Sequence, residues 1–566
     1  MSRLRRFSAS QVVLLAAVLL ASVVRFSYHS NNSTNGYNAT SWDALGYYIY
    51  LPGFIIYEDV KKLDWFDDID SIYNVSGGQF YQAVELDDGD HVFKYLGGVA
   101  ILELPFFLIG HVVALATDYP ADGFSAPYQY AIIWGAVLWF LFGLWVLKWV
   151  LRRYFTDGIT ALTMLLVVGA SNLIQYVSVD GAMSHSFIFP LYALLLYFTI
   201  KWHEQPKRAY LFLIGLVIGI ATISRPTELI MIFIPLLWGI NEKANFVEKW
   251  KVVLTNKIHL VYGTLGGFLG VLPQLLYWKH AAGTWVFDVG SKWFFLNPWW
   301  RVLFGFEKGW FIYTPIAIFF VVGLFLMKGK PFRKAVLTFC LLNIWIIISW
   351  SDWRYGASYS TRALTQSYPV FALALAAVLE RIFVQKWKLP VLLVSGYFIV
   401  VNLFQIWQYN ALILHYNDMN FNYYRAIYLD PSPSPLDYSL LDTDEVMPVN
   451  SSYETVVISD SISTITLSPW EGKLLAAYEN VEWDWLFSSF TLNAERGLAQ
   501  SFYVVRCFEN DSIIKEKKFR LALPKYEHGE DVTYQNHVSI PSQTTFIEVK
   551  MESLNDFKAT IIGKIR

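Results

Sequence analysis

The sequence is poor in charge and in cysteine. Only 16% of its 566 residues are Asp, Glu, Lys or Arg, where a soluble chain carries about a quarter. The charges nearly cancel, to a formal net of -2, so no global basic field points to nucleic acid. There are two cysteines, Cys340 in an apolar run and Cys507 far from it; neither a disulfide framework nor a cysteine metal site is indicated. No glycine-rich nucleotide-phosphate loop and no internal repeat is found.

What is there is apolar and aromatic. Hydrophobic residues make up 55% and aromatic residues 18%, with a mean hydropathy of +0.37. A bilayer-spanning helix needs about 20 apolar residues. The first such run, Gln11–Phe26, follows Arg3, Arg5 and Arg6 and has no obvious small-residue cleavage site, so it reads as a retained anchor rather than a signal peptide. Further runs are 127–150, 159–179, 187–200, 211–223, 229–240, 258–277, 311–327, 335–350, 363–382 and 389–407, about eleven spans in all. The run Leu96–Ala116 is also apolar. Counting it as a span inverts the topology of everything after it.

The distribution of basic residues decides between the two topologies. With Leu96–Ala116 non-spanning or re-entrant, every loop assigned to the cytoplasm is basic: Lys148/Arg152/Arg153, Lys201/Lys207/Arg208, Lys243/Lys249/Lys251, Lys328/Lys330/Arg333/Lys334 and Arg381/Lys386/Lys388. The opposite assignment puts all five clusters outside. The short runs 211–223 and 229–240 read as a hairpin with a recessed tip around Arg225. The expected fold is an all-α polytopic membrane domain over 1–408, with a large first external loop at 27–128. A linker at 409–451 follows, and then an extracytoplasmic β-sandwich over 452–566. Val456–Ile458, Thr464–Leu467, Ser501–Val505 and Thr545–Lys550 are its candidate strands. The N-terminus is expected in the cytoplasm, and the chain in an inner (cytoplasmic) membrane.

On this topology the chemistry-bearing residues gather on the external face. Asp43, in the motif SWDALGYYIYLP, is placed to accept a proton from a hydroxyl or to help hold a divalent cation such as Mg2+ or Mn2+; Ser41 or Asp43 reads equally as a helix N-cap. DDGDHVFKYLGG carries His91, Lys94 and Tyr95. Its acidic residues do not fit an EF-hand and read as a solvated turn. A lysine at a membrane surface suits a lipid phosphate, although snorkelling places lysines there too. SVDGAMSHSF carries Asp180, a second candidate cation ligand, and His185, deeper in the next span. In SRPTE, Arg225 offers a guanidinium fork that matches phosphate oxygens, with Glu228 as a possible internal partner. SDWRYGASYSTRAL supplies Trp353, Arg354, Tyr355 and Arg362; its aromatics suit sugar faces or the interfacial belt. Glu307 and Lys308 form a further charged pair.

The order of these motifs, with KYLGGVAILELPFF and GWFIYTP between them, resembles the type C (GT-C) glycosyltransferase superfamily. It looks most like the bacterial relatives of protein mannosyltransferases, over roughly Gln11 to Trp407. The resemblance implies a membrane enzyme using a polyprenyl-linked sugar donor and a lipid, glycan or protein acceptor. It carries the role of catalytic base or metal anchor onto Asp43, a second acidic position onto Asp180, and donor-phosphate contacts onto Arg225 and Arg362. Lys94, Tyr95 and His185 are pocket candidates. The family's paired acidic motif is absent, since Ala44 follows Asp43; this leaves base or metal, and single sugar or oligosaccharide, open. The rival class is a flippase for the same lipids, which often shows paired repeats.

Overall fold

The computed structural model describes residues 7–28, 38–240, 243–384, 386–446, 448, 463–479, 481–523 and 528–562. The chain divides into two compact units, Met1–Leu403 and Phe404–Arg566. Arg3, Arg5, Arg6 and the candidate strand Val456–Ile458 lie outside the described residues.

The first unit is helical, and the protein is an integral membrane protein. Six helices among the described residues are long and apolar enough to cross a bilayer: Ala9–Ser27, Gly98–Leu115, Ala126–Arg152, Ile258–Ala281, Arg362–Ile382 and Lys388–Asn410. Others of the expected runs hold shorter apolar helices, Asp157–Gly169, Arg208–Ser224, Pro226–Leu237 and Ala317–Leu326. Hydropathy reports apolarity, not backbone continuity. The run 159–179 breaks into Asp157–Gly169 and Leu173–Ser178, and 311–327 breaks into Trp310–Tyr313 and Ala317–Leu326 around Thr314 and Pro315. The run at 229–240 forms a 3-10 helix, Pro226–Ile232, followed by the short helix Phe233–Leu237. Conversely, the run expected to be non-spanning forms the continuous helix Gly98–Leu115, as long and as apolar as a span.

Arg208–Ser224 and Ile258–Ala281 pack through glycine. A Cβ on Gly215 would lie 1.9 Å from the carbonyl oxygen of Gly263, and one on Gly266 would lie 2.1 Å from that of Phe212. In lipid, helices gain little from the hydrophobic effect between them, so close backbone approach through small residues supplies the attraction. This contact holds the end of Arg208–Ser224, and with it Arg225, in place.

Two segments position the polar face of this unit. The strands Ala83–Glu85 and His91–Phe93 pair antiparallel, with Ala83 opposite Phe93. The amide of Lys94 continues the ladder to the carbonyl of Gln82 at 2.8 Å. The same register extended by one more pair sets Tyr81 opposite Tyr95. At the hairpin tip Asp90 is tied to Lys61 and Lys62, each at 2.6 Å, which accounts for the acidic cluster as a structural turn. The 351–362 loop is held from beneath by Lys308, whose buried ammonium donates to the carbonyls of Gly356 and Ser358 at 2.9 Å each.

The second unit carries the β-sheet region. Its strands form two four-stranded antiparallel sheets. One sheet runs in the order Ser463–Leu467, Phe557–Ile562, Trp485–Arg496, Asp531–Ser539; the other runs Glu471–Glu479, Phe546–Ser553, Ser501–Glu509, Ser512–Arg520. Alternate residues are buried along Phe546–Ser553 and much of Trp485–Arg496, the period expected of half-covered strands. The rings of Phe490 and Tyr503, one from each sheet, lie 5.0 Å apart, and the Tyr503 hydroxyl donates to Ser488 Oγ at 2.6 Å.

Replacing Gly215 by Val drives a side chain into a backbone carbonyl. The expected cost is about 1–3 kcal/mol or more, read as a lower Tm in detergent. Gly396→Ala, where a Cβ meets nothing within 4 Å, is the control and should leave the Tm unchanged or slightly raised.

Candidate active site

Asp43 is the first residue of the short helix Asp43–Tyr48, whose N-cap position is Trp42, at φ 55° and with no side-chain cap bond. Asp43 is therefore not the cap that its sequence position suggests. Its carboxylate faces other segments. Oδ1 accepts hydrogen bonds from the hydroxyls of Tyr81 and Tyr95, each at 2.7 Å. Oδ2 pairs with the guanidinium of Arg362. The hairpin register brings the two tyrosines together, and the Lys308-anchored loop delivers Arg362. Burial alone would push the Asp43 carboxyl up; the Arg362 charge and the two phenol hydrogen bonds overcome this and hold it at about 2. Burial and the Asp43 charge push both phenols up, so they remain donors across the working pH range.

A second cluster lies on the helices behind this pair. The Tyr192 hydroxyl donates to Glu228 Oε2. Gln366 Nε2 donates to Glu228 Oε1 at 3.0 Å, and its Oε1 stands 2.7 Å from His185 Nδ1. With the amide in this orientation, His185 carries its proton on Nδ1. The expected Glu228–Arg225 ion pair is not formed, because both Glu228 oxygens are occupied. Arg225 is at an extended break, φ -152°, between Arg208–Ser224 and the 3-10 helix that opens at Pro226. Its half-buried guanidinium has no hydrogen-bond or ion-pair partner among the described residues, while its charge acts on Glu228, His185 and Tyr355. Asp180 accepts from Gln175 Nε2 at 3.1 Å and lies within the field of Arg362 and Arg25.

Asp43 is thus in direct contact with Tyr95 and Arg362; His185 lies within the field of Arg362, Asp43 and Arg225, and Asp180 within that of Arg362. Lys94 follows the hairpin next to Tyr95 and has no side-chain partner among the described residues. Other candidates lie elsewhere. His91 faces the Lys61 carbonyl at 3.2 Å, within the hairpin's own packing. Glu307 pairs with Arg301 at 2.7 Å rather than with Lys308. Arg301 and Arg354 lie over the Trp353 ring at 4.4 and 5.2 Å, a stack on the outer side of the loop. Tyr355 is buried and donates to the Ile347 carbonyl at 2.7 Å, which makes it a loop anchor. Sequence reasoning missed Tyr81, Tyr192 and Gln366. For Tyr81 the alternation around the DDGD turn was the available signal; for the other two, inside apolar helices, there was none.

The two carboxylates offered to a divalent cation do not fit one here. Both Asp43 oxygens carry donors, and among the described residues no group of three or more His, Cys, Asp or Glu stands together to hold a metal. An apolar groove lies among the segments that flank Tyr95 and Arg225 in the chain. Tyr50, Gly97, Ile101, Leu104, Ile223 and Gln274 line it. Of its lining, the Tyr50 hydroxyl donates to the Tyr95 carbonyl at 2.6 Å, and Ile223 is two residues before Arg225.

Residues 124–278 match the family described as dolichyl-phosphate-mannose-protein mannosyltransferase. The match covers this segment and not the rest of the 566 residues. The matched segment holds Asp180, His185 and Arg225, three of the positions on which the resemblance in motif order rests. A protoheme IX farnesyltransferase of Flavobacterium johnsoniae is 30% identical over 129 residues, which is 21% of this chain and 42% of that protein, so the match spans less than half of the curated relative. Among solved structures, ArnT from Cupriavidus metallidurans bound to undecaprenyl phosphate is similar at a TM-score of 0.44 and 15% identity, over 74% of this chain and 69% of that one. The Archaeoglobus fulgidus oligosaccharyltransferase is similar at a TM-score of 0.44 and 10% identity, over 78% and 62%. Scores at this level carry no detail of fold or activity.

The lowered Asp43 value sets a pH signature. Its contribution to stability is complete above the unfolded carboxyl value near 4 and is lost as pH falls through about 2, a contribution of about 2–3 kcal/mol. The Tm difference between the native protein and Asp43→Asn should therefore be constant above about pH 4 and shrink below it.

Proposed function

We propose that this protein is a membrane glycosyltransferase that moves a sugar from a polyprenyl phosphate or diphosphate carrier to an acceptor hydroxyl on the extracytoplasmic face. The observation that carries the reading is one arrangement: the Asp43–Arg362 pair and the guanidinium of Arg225, unpartnered among the described residues, both act on His185, and an apolar groove is lined by Tyr50, which bonds the Tyr95 backbone, and by Ile223, two residues before Arg225. A lipid-borne phosphate has an anionic head and an isoprenoid tail. The arginines answer the first and the groove the second. The family match, whose description names a polyprenyl-linked sugar, supports the same class of donor.

The geometry also supports an order of events. A carboxylate held at about 2 is a weak base. A donor phosphate entering beside Arg225 competes with Asp43 for Arg362, since guanidinium binds phosphate at least as well as carboxylate. Once Arg362 turns to the phosphate, Asp43 loses its cationic partner and its basicity rises toward the ordinary range. Asp43 then takes the proton of the acceptor hydroxyl as that oxygen attacks the anomeric carbon. The bond from carbon to phosphate oxygen breaks, and the electron pair leaves with the polyprenyl phosphate, whose charge the arginines balance. Tyr81 and Tyr95 keep the carboxylate oriented throughout.

With the helix Gly98–Leu115 taken as re-entrant, the basic clusters favour an N-terminus in the cytoplasm and the β-sheet unit outside. Acceptors within reach of this chemistry are a protein Ser or Thr hydroxyl, a lipid or a glycan. Asp43→Asn should lower transfer of labelled sugar by about 10²–10⁴-fold while binding the donor lipid as tightly as the native protein or more so, because Arg362 is released. Arg225→Gln should weaken donor binding. Full transfer by Asp43→Asn would remove Asp43 from the reaction and this reading with it.

A further inference from the structure

The segment between the helices Ile258–Ala281 and Trp310–Tyr313 is unlike the other connections. Over 285–304 it exposes Trp285, Phe294, Phe295, Leu296, Trp300 and Phe304, with Leu296 fully exposed. An exposed apolar surface of this kind is costly in water and marks a contact. Its backbone is not free. The Phe294 amide donates to the Ser349 carbonyl and the Trp299 amide to the Ile348 carbonyl, each at 2.6 Å. Ser351 N donates to the Lys292 carbonyl at 2.9 Å, and Trp293 pairs with Trp350 in an antiparallel bridge. The segment is therefore fixed to the C-terminal end of the apolar helix Arg333–Ile348. On that helix Leu341 and Trp345 are exposed, a stripe that in a membrane protein faces lipid. The loop's apolar surface begins where this stripe ends.

We propose that residues 285–304 form an interfacial membrane wedge, whose aromatic and leucine side chains lie in the headgroup–acyl boundary of the leaflet next to the Asp43–Arg362 pair. The chemistry fits a lipid surface. Trp and Phe beside polar backbone are the residue types enriched at that depth. Lys292 is exposed, and Lys279, whose ammonium donates to the Gly283 carbonyl at 2.8 Å, adds a second cation at the segment's start. Cations there attract anionic headgroups. A water-facing loop has no use for Leu296 at its tip. A second protein chain would bury this surface too, but the continuity with the Leu341–Trp345 stripe favours lipid. The proposal does not depend on the transfer reaction.

The test uses the full chain in phosphatidylethanolamine–phosphatidylglycerol vesicles. Both native cysteines are buried, so a cysteine introduced at Leu296 takes an environment-sensitive fluorophore selectively. Asp87→Cys, at the exposed polar hairpin turn, is the aqueous control. The expected result at 296 is a blue-shifted emission that is quenched by lipids carrying a doxyl group near the headgroup and protected from iodide, with the reverse at 87. Quenching by iodide at both positions overturns the proposal. Protection at 296 from iodide and from doxyl lipid alike also overturns it, in favour of a protein contact.

Discussion

The ion pair between Asp43 and Arg362 joins parts of the chain 319 residues apart. Taking two charges out of water is expensive, and their attraction repays the cost only when the remaining hydrogen-bonding capacity is filled. Here Tyr81 and Tyr95 fill it on the carboxylate side. The hairpin that presents these tyrosines and the Lys308-anchored loop that presents Arg362 are in effect two arms closing on one carboxylate. Each arm is stabilised by its own backbone bonds, so the pair is held in position rather than holding the arms up. That is the condition under which a charge can be exchanged for a ligand's without loss of the fold.

The apolar part of the unit serves this centre. Glycine packing between Arg208–Ser224 and Ile258–Ala281 brings two helix backbones to closer approach than larger residues permit. The break at Arg225 then falls at the end of a rigid pair. Among the described residues a guanidinium there has no hydrogen-bond or ion-pair partner, because Tyr192 and Gln366 have taken the Glu228 oxygens. An arginine without a partner among the described residues is a cost to the fold, which, on the proposed function, an anionic lipid headgroup removes. Stability and function pull in opposite directions at this residue.

Much of this was legible beforehand, and the failures are instructive. Asp43, Tyr95, Arg225 and Arg362 stand out because ionisable and aromatic residues near apolar runs are rare and costly. Trp353, Arg354, Glu307 and His91 have the same local character, yet they turn to Arg301, to one another or to the hairpin. Sequence position does not tell which face of a loop a side chain takes. Glu228 was assigned to Arg225 by proximity, three residues apart; in space a tyrosine and a glutamine from distant helices are nearer. Pro315 and the Ser171–Asn172 turn interrupt two of the apolar runs, since apolarity and helical continuity are separate properties.

The sequence by itself determined that the chain lives in a membrane and that a β region follows the helices. These are properties of composition and of local period, which each segment carries alone. Only the tertiary structure decided which carboxylate meets which cation, and that Arg225 pairs with none among the described residues. Such choices depend on contacts between residues hundreds of positions apart. Their energies arise from burial and competition for donors and acceptors, which no segment experiences until the others are packed around it.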